Sequence, residues 1–394
     1  MGKYDFDTVY DRRGTASLKY DFGPKRKGRD DLLPLWVADM DFRLPDEILD
    51  DIAARTRHGI FGYTDPDEKY NEAVKGWYRT RHGLDIEDDW ITVEPGVVYS
   101  IACAIRAFTD PGDAVIIQQP VYYPFMSAII LNNRKLVNNQ LVYTNGHYEI
   151  DYDDFERKIE KNHVKLFILC SPHNPVGRVW TREELVRLGD ICDAHDVMIF
   201  ADEIHSDFVY KGYKHTSFLT LGDKYTKRVI LGTSPSKTFN TAGLQVANII
   251  IPDDDVRKRY RRENDAAGYS QGNTLGMAAT ESVYTKGAKW FDELLEYLEG
   301  NVSYIRDYVS TRLPGVRLVE PEGTYLVWLD FSGITDDHKE LEKLIVDEAK
   351  LWLDPGIIFG DETALFERIN IACPRSILVQ AMDQLNDALQ RRGQ

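Results

Sequence analysis

The middle of the chain alternates short apolar runs with segments of helical period, and this alternation constrains the fold more than any other feature. The apolar runs predict strands at residues 114–117, 165–170, 197–201, 228–231 and 246–251. Between two of these runs, residues 181–184 read Thr-Arg-Glu-Glu, a capping box that predicts the first turn of a helix. Strands that alternate with helices are typical of a parallel sheet with crossover helices. The pattern therefore predicts an α/β fold.

The C-terminal part of the chain follows a different pattern. From Trp290 onward, apolar residues recur at helical spacing until Pro-Gly at residues 314–315 ends the helix. Residues 323–329 then predict a strand and residues 378–389 a terminal helix. The expected domains are a large one at residues 48–288 and a small one at residues 1–47 and 289–394. No Pro/Ser-rich linker separates them, so we expect the two domains to be packed together rather than tethered.

Charge and hydropathy exclude several classes of protein. The 48 basic and 64 acidic residues give a net charge of -16, which disfavours nucleic acid and anionic membranes as partners. Residues 1–13 lack the apolar core of a signal peptide, and no apolar run is long enough to cross a bilayer, so we expect a cytoplasmic protein. The four cysteines lie far apart without CxxC spacing, which favours buried thiols over a zinc site or disulfides. Residues 202–207 contain metal-binding residue types, but no second ligand cluster accompanies them, and no metal is expected.

Three polar clusters follow three of the predicted strands. They read Ser-Pro-His-Asn-Pro-Val-Gly at residues 171–177, Asp-Glu-Ile-His at 202–205 and Ser-Pro-Ser-Lys at 234–237. Because ligands of an open parallel sheet bind at the carboxyl ends of its strands, we expect the clusters to share one ligand. Lys237 ends the third cluster, where an amine can bind an aldehyde covalently and move protons. An isolated Ser-x-Ser-Lys is more often a surface lysine after a turn, so this interpretation depends on the other two clusters.

These three motifs, in this order and spacing, resemble the fold type I enzymes of the aminotransferase class I and II family, and the resemblance covers nearly the whole chain. It implies an aminotransferase-like α/β fold with a large, mostly parallel seven-stranded sheet domain and a smaller α+β domain. It also implies pyridoxal 5'-phosphate (PLP) as the cofactor, held by Lys237 as a Schiff base. Once substrate displaces Lys237, its amine would act as general base and then as general acid.

The resemblance assigns four residues to the cofactor ring. Asp202 would keep the pyridine nitrogen protonated, since a carboxylate beside it favours the charged form. Asn174 would donate a hydrogen bond to the phenolic oxygen, and His205 stands where many members have a tyrosine that contacts the same oxygen. Tyr122 would stack on the ring. Taken singly, Asp202 would be read as a helix cap, Asn174 as part of a turn and Tyr122 as a core aromatic.

The cofactor phosphate requires hydrogen-bond donors. Residues 95–100 (Pro-Gly-Val-Val-Tyr-Ser) open an apolar helix, so the backbone N–H groups of Val97 and Val98 would point at the phosphate. Ser234 and Ser236 would add hydroxyl groups. We expect these donors to form the phosphate site.

Two further residues bear on the phosphate. The family often has an arginine eight residues after the lysine, but this chain has Gln245 there, which leaves the neutralisation of the phosphate open. Tyr63, in Phe-Gly-Tyr-Thr at residues 61–64, matches a tyrosine that reaches the phosphate of the neighbouring subunit. The resemblance therefore implies a homodimer with Tyr63 contributed across the interface.

The small-molecule partner is expected to be an amino acid. A planar, bidentate donor suits an α-carboxylate, and Arg368 in Glu-Arg-Ile-Asn-Ile-Ala matches the carboxylate arginine of the family. Asn174 is expected beside it. Trp36 and Asp39 would line the side-chain end of the substrate pocket.

The PLP residues alone do not select the reaction, because the same set serves transamination, racemisation, decarboxylation and elimination. A finer resemblance, to one subgroup of the family, indicates which reaction it is. Trp-Val-Ala-Asp-Met-Asp-Phe at residues 36–42, the stretch 236–245 and Ala-Cys-Pro-Arg at 372–375 resemble the cystathionine β-lyase (C–S lyase) subgroup of the MalY/PatB kind. The implied reaction is α,β-elimination from L-cystathionine or other S-substituted cysteines, which gives a thiol (homocysteine from cystathionine), pyruvate and ammonia. Lys237, Tyr122 and Asp202 would be its catalytic residues.

Two alternatives stay open at this point. The first is an aminotransferase, which would pass the amino group to a keto acid. The second is a regulatory role alongside lyase activity, because the resembled subgroup includes a protein that represses a sugar regulon by contacting a transcription activator. Nothing in the sequence identifies such a partner, and the chain carries no DNA-binding module.

Overall fold

The structure is a computed structural model that describes residues 2–393. Its strands are β1 Leu33–Pro34, β2 Ile91–Glu94, β3 Ala114–Ile117, β4 Lys135–Asn138, β5 Val142–Thr144, β6 His147–Glu149, β7 Leu166–Cys170, β8 Met198–Asp202, β9 Val229–Thr233, β10 Ala247–Ile250, β11 Arg317–Val319, β12 Leu326–Asp330, β13 Leu351–Trp352, β14 Asp354–Pro355 and β15 Phe366–Asn370. Its α-helices are α1 Gly23–Lys27, α2 Asp46–His58, α3 Glu68–His82, α4 Val97–Phe108, α5 Pro124–Leu131, α6 Tyr152–Asn162, α7 Arg182–Ala194, α8 Pro235–Thr238, α9 Asp254–Ala266, α10 Thr274–Lys286, α11 Ala288–Arg312, α12 His338–Glu342 and α13 Arg375–Arg392.

Seven strands form the central sheet in the order β2-β10-β9-β8-β7-β3-β4. Neighbouring strands are parallel except at β10, which runs antiparallel to β2 and β9. The predicted α/β fold with a large, mostly parallel seven-stranded sheet is confirmed. The predicted strands all occur, with ends that differ by at most three residues.

The sheet is buried on both faces, because its central strands are apolar at nearly every position, apart from Asp202 and Thr233 at the ends of β8 and β9. In β7, Phe167 and Leu169 pack into one core cluster, while Leu166 and Ile168 pack into the other on the opposite face. This is the alternation that a strand imposes on its side chains. The predicted capping box begins α7: the Thr181 hydroxyl accepts from the Glu184 N–H at 3.2 Å, and the Glu184 carboxylate accepts from the Thr181 N–H at 2.8 Å.

The carboxyl ends of β7, β8 and β9 lie side by side. Cys170 at the end of β7 is opposite Asp202 at the end of β8, and Asp202 is opposite Gly232 near the end of β9. Because the three polar clusters begin directly after these strands, they meet at one edge of the sheet. This edge is the one predicted to bind the ligand.

The C-terminal part of the chain forms an antiparallel sheet in the order β11-β12-β15-β14. In sequence, the long helix α11 precedes this sheet and the terminal helix α13 follows it. Strand β1 pairs in parallel with β13, so the N-terminal segment attaches to this part of the chain. We propose the division predicted from the sequence, residues 48–288 against residues 1–47 with 289–394, as the domains. Residues 1 and 394 of that division lie outside the described residues.

Three further features of the structure concern a membrane-spanning helix, a metal site and the state of the cysteines. Among residues 2–393, no helix is both long and apolar enough to span a membrane. Within the same residues, no three His, Cys, Asp or Glu side chains are grouped so as to hold a metal ion. The four cysteines all lie in this range, and each is a buried free thiol.

Candidate active site

A cavity of about 360 Å³ opens at the carboxyl edge of the central sheet. It brings together most of the residues predicted to bind the cofactor. They are Val97, Val98, Tyr122, Asn174, Asp202, His205, Ser234, Ser236 and Lys237. We call this space the inner cavity.

A second cavity, of about 560 Å³, adjoins the first, and we call it the outer cavity. The two share Lys237, Tyr122 and Ala38 as lining residues. The residues predicted to bind substrate line the outer cavity, except for Asn174, which lines the inner one: they are Trp36, Asp39 and Arg368. Lys237 therefore stands at the junction of the two spaces.

Lys237 lies on α8, a single helical turn that starts directly after β9. The Ser234 hydroxyl caps this turn by accepting from the Ser236 N–H at 3.0 Å, and it donates to the Val246 carbonyl at 2.6 Å. The Lys237 Nζ donates to the Ala38 carbonyl at 2.8 Å. Burial lowers the pKa of the Lys237 amine to about 8, against the opposing effect of the nearby carboxylates. A larger share of this amine is neutral and nucleophilic near neutral pH than for an ordinary lysine.

Asp202 ends β8 and is buried. Its Oδ1 accepts from the Ile204 N–H at 3.1 Å, and its other oxygen accepts no hydrogen bond from residues 2–393. Burial raises the pKa of this carboxyl to about 7, although the Ile204 N–H and the charge of Lys237 oppose the rise. A cation placed against the free oxygen would restore the carboxylate, so this environment suits a protonated ring nitrogen.

His205 and Asn174 are buried beside these groups. The Nδ1 atom of His205 has no hydrogen-bond partner in the part of the chain that the structure describes. Burial, followed by the positive charges of Lys237 and Arg368, lowers the pKa of this imidazole well below the ordinary value. The imidazole is therefore neutral. Asn174 accepts at Oδ1 from the Arg368 Nη1 at 2.9 Å. Its Nδ2 makes no hydrogen bond within the described chain, which leaves it available to donate to a ligand oxygen.

The amino end of α4 faces the inner cavity. Gly96 is the N-cap and supplies no side-chain hydrogen bond, so the first N–H groups of this 12-residue helix, including those of Val97 and Val98, have no intrahelical partner. A Cβ added at Gly96 would meet nothing within 4 Å, which shows open space at this end. Free N–H groups and the helix dipole favour an anion such as a phosphate.

The charge at the phosphate end differs from the usual family pattern. Gln245 lines the inner cavity, and Lys237 is the one cationic side chain among the described residues that do so. Tyr63 lies outside both cavities and is 96% exposed, so within one chain it contacts neither. Among the described residues that line the inner cavity, the phosphate thus finds N–H and hydroxyl donors but no arginine.

Arg368 lies on β15 at the outer cavity. It pairs with Asp354 of β14, and its Nη2 also donates to the Trp36 carbonyl at 3.0 Å. Burial raises the pKa of the Asp354 carboxyl, and the charge of Arg368 opposes that rise. The Nε atom of Arg368 is buried and has no hydrogen-bond partner among the described residues. The Arg368 guanidinium is thus held in place, and its Nε–H group is not used in any of these contacts.

The sequence reasoning missed how residues 36–40, which we call the strap, are fixed. The Ala38 carbonyl accepts from Tyr325 Oη at 2.9 Å as well as from Lys237. Asn370 Nδ2 donates to the carbonyls at positions 37 and 39, each at 2.6 Å. Asn240 bonds the N–H and the carbonyl of Met40 at 2.9 and 2.8 Å. One signal was present in the sequence: Asn370 is a polar residue inside the buried run Ile-Asn-Ile.

Known proteins match the chain over nearly its whole length. The model of the family named Aminotransferase class I and II matches residues 30–385. Cystathionine beta-lyase PatB of Bacillus subtilis is 42% identical over 385 residues, which are 98% of this chain and 100% of that protein. Protein MalY of Escherichia coli is 34% identical over 388 residues, 98% and 99% of the two chains. The crystal structure of cystalysin from Treponema denticola, which contains a pyridoxal 5'-phosphate cofactor, is 39% identical and superposes with a TM-score of 0.95, covering 98% of this chain and 99% of that one.

Proposed function

The chain belongs to the aminotransferase class I and II family, and we propose that it is a PLP-dependent carbon–sulfur β-lyase, the kind of enzyme that its relative from Bacillus subtilis is named as. Its substrates are L-cystathionine or other S-substituted L-cysteines. The overall reaction takes one S-substituted cysteine and one water and gives one thiol, one pyruvate and one ammonium ion. The Cβ–S bond breaks, the sulfur gains a proton, and the amino group leaves by hydrolysis.

The observation that carries the proposal is the position of Lys237. Its amine has a lowered pKa and stands where the inner cavity meets the outer one, so it contacts both a cofactor and an amino acid placed there. A group that both binds an aldehyde and moves a proton must occupy such a place. A surface lysine does neither.

The residues of the inner cavity fit PLP. Asp202 would hold the ring nitrogen, Asn174 Nδ2 would donate to the phenolic oxygen, and the free N–H groups of α4 with Ser236 would hold the phosphate. When bound, PLP withdraws electrons from the α-carbon of the substrate. The neutral His205 adds a polar group beside the ring without adding charge.

Tyr122 is proposed to cover one face of the cofactor ring. It lines both cavities, and burial raises the pKa of its hydroxyl to about 12, so the phenol stays protonated at neutral pH. Its ring would limit the movement of the cofactor and exclude water from it. The hydroxyl is also a neutral donor at the border of the outer cavity.

The substrate is proposed to enter the outer cavity with its α-carboxylate at Arg368. The Asp354 and Asn174 contacts hold the guanidinium, and its spare Nε–H points to further donor capacity. Lys237 Nζ then takes the α-proton, and the protonated amine can return a proton to the departing sulfur. The strap holds Trp36 and Asp39 at the end of the cavity where the sulfur substituent lies.

Incubation of the holoenzyme with S-substituted cysteines, without any keto acid, tests the reaction. A β-lyase is expected to release thiol and pyruvate in equal amounts over many turnovers. An aminotransferase would stop after about one turnover, because it needs a keto acid to regenerate its cofactor. Thiol is measured with a thiol reagent and pyruvate with lactate dehydrogenase. Turnover that depends on an added keto acid would contradict the lyase assignment.

The exposed segment at residues 59–64 supports a homodimer. Its side chains at Ile60, Phe61 and Tyr63 are 68%, 56% and 96% exposed, an apolar surface that a second copy of the chain would cover. The tyrosine of each copy would then supply a donor to the phosphate in the other, where Gln245 supplies no charge. We also propose a cytoplasmic location, which the four buried free thiols support.

Sedimentation equilibrium tests the dimer. The expected mass is twice that of the 45.3 kDa chain. Tyr63→Ala is expected to raise the Kd for PLP about tenfold, which is the loss of one hydrogen bond to a charged group. Tyr213→Ala, at another exposed tyrosine, is the matched control and should leave that Kd unchanged. A fully active monomer would disprove the shared site.

A further inference from the structure

The outer cavity has a mainly apolar wall at the end away from the cofactor. Leu18, Trp36, Val37 and Tyr123 line it. Trp36 is held against Trp352 by stacking, with ring centroids 4.5 Å apart and planes 8° apart. Hydrogen bonds to the backbone carbonyls of Trp36 and Val37 hold these two wall residues in place.

Four of the five charged side chains that line the outer cavity, among the described residues, are paired with one another. Arg12 binds Asp39 through two parallel contacts of 3.0 and 2.7 Å and also binds Asp41 at 2.8 Å. Arg368 is paired with Asp354. The remaining charged side chain that lines this cavity, among the described residues, is the cofactor lysine.

The Arg12 cluster is balanced as a whole. Two carboxylates, Asp39 and Asp41, face two cations, Arg12 and Lys19, and the Lys19 amine is fully buried 2.7 Å from Asp41 and 3.7 Å from Asp39. A second ammonium or carboxylate that entered the cavity would therefore find no unmatched charge among the described residues that line it, apart from Lys237. The Arg26 guanidinium lies 5.4 Å from the Trp36 ring centroid but is not one of these lining residues. The entering group would lose water without gaining a partner, which is unfavourable.

The segment proposed to lie at the dimer interface adds no charge to this balance. The segment at residues 59–64 reads Gly-Ile-Phe-Gly-Tyr-Thr and carries no charge. If a second copy brings it to the active site, it adds apolar and aromatic surface. The wall around the sulfur substituent thus stays uncharged.

We propose that the outer cavity selects S-substituted cysteines whose leaving thiol is uncharged, with an alkyl or aryl group, over L-cystathionine. The selection acts on the substituent, since Arg368 and Lys237 serve the amino-acid end that all these substrates share. This inference rests on the proposed lyase function and narrows its substrate class. The leaving group of cystathionine carries a second ammonium and a second carboxylate, for which the cavity has no free counter-charge.

Matched substrates test the selection on the wild-type holoenzyme. S-propyl-L-cysteine is compared with S-(2-aminoethyl)-L-cysteine, which is cationic, and with S-carboxymethyl-L-cysteine, which is anionic. S-butyl-L-cysteine is compared with L-cystathionine. In each comparison we expect kcat/KM for thiol release to be at least about tenfold higher for the uncharged substituent. Equal or higher kcat/KM for the charged members would overturn the selection. Release of neither thiol nor pyruvate from any member would instead contradict the lyase function itself.

The Arg12→Gln variant tests whether the pairing of charges in the outer cavity causes the selection between substrates. It removes one cation from the cluster and leaves Asp39 and Asp41 to share Lys19, so the cavity gains net negative charge. The ratio of kcat/KM for S-(2-aminoethyl)-L-cysteine to that for S-propyl-L-cysteine is expected to rise at least about threefold. Because both values come from one preparation, partial loss of folded enzyme cancels in the ratio. An unchanged ratio would overturn the role of the charge pairing.

Arg13→Gln is the matched control. Arg13 is the next residue, is largely exposed, and pairs with Asp11 at 3.8 Å outside the outer cavity. It is expected to keep the wild-type ratio. A shift in this variant equal to that in Arg12→Gln would assign the effect to net surface charge and overturn the proposal.

Discussion

Lys237→Ala is expected to lower kcat for thiol release by about 10⁴-fold or more. The variant loses the amine that would hold the cofactor and also the base that takes the α-proton, and general acid–base catalysis alone contributes about 10²–10⁴-fold. The chain offers no substitute, because Lys237 is the one cationic side chain among the described residues that line the inner cavity. The measurements are kcat for thiol and pyruvate, and mass spectrometry of a peptide labelled by borohydride reduction of the holoenzyme.

The control for this variant is Lys227→Ala, at an exposed lysine ten residues earlier. It should retain full activity and the borohydride label on the Lys237 peptide. Retention of the label on another lysine in Lys237→Ala, with activity within tenfold of the wild type, would remove Lys237 from its proposed role.

The lowered pKa of Lys237 gives a second measurement on the same residue. Only the neutral amine attacks an aldehyde, so the rate at which apoenzyme takes up PLP should rise with pH while the amine loses its proton. With a pKa of about 8, the rise should level off above pH 8 rather than above the ordinary value of 10.5. Asp39 acts to raise this pKa, so Asp39→Asn is expected to move the midpoint to lower pH. A midpoint near 10.5 in the wild type would show that burial does not activate the amine.

Asp202→Asn is expected to lower kcat by about 10²–10³-fold while the cofactor remains bound through Lys237. The amide has the same size and can still accept from the Ile204 N–H, but it carries no negative charge to hold a proton on the ring nitrogen. A preorganised charge in a buried site contributes about this much to the rate. Stopped assays of pyruvate give kcat, and the absorbance of the bound cofactor gives its occupancy.

The matched control is Asp196→Asn. Asp196 precedes the same strand, β8, and its side chain is 99% exposed, where it contacts Arg228 at 3.2 Å. Its backbone has positive φ, a conformation that asparagine tolerates. This variant should behave as the wild type. If Asp202→Asn kept kcat within threefold, the ring nitrogen would not depend on this carboxylate.

The central strands and the three polar clusters could be predicted from the sequence because each has a local signature. Continuous apolar runs such as that of β7 predict buried strands. Asp202 is the last residue of such a strand, and Asn174 and Lys237 lie a few residues beyond two others. The direction of β10 could not be predicted, since a strand buried on both faces has the same pattern in either direction. Strands β2 and β4 were also missed, because Ile-Thr-Val-Glu and Lys-Leu-Val-Asn are short and mix polar with apolar residues.

The parts of the site that the sequence did not reveal depend on backbone atoms and on distant pairs. A carbonyl such as that of Ala38 has no side-chain signature, so its bonds to Lys237 and Tyr325 appear only in three dimensions. The pairing of Arg12 with Asp39 joins residues 27 positions apart in a segment without a clear period. Tyr63 was noticed through family resemblance alone, and its place in the enzyme depends on a second copy of the chain.

The two hydrogen bonds that meet at the Ala38 carbonyl have a consequence for turnover. Lys237 Nζ lies 2.8 Å and Tyr325 Oη 2.9 Å from this one oxygen. When the amine is engaged elsewhere, the tyrosine keeps the carbonyl satisfied and the strap stays in place. When substrate displaces the amine, the same oxygen offers it a resting place within the cavity. While substrate occupies the site, the displaced amine would thus stay at a fixed position within the cavity rather than in solvent, until it binds the cofactor again.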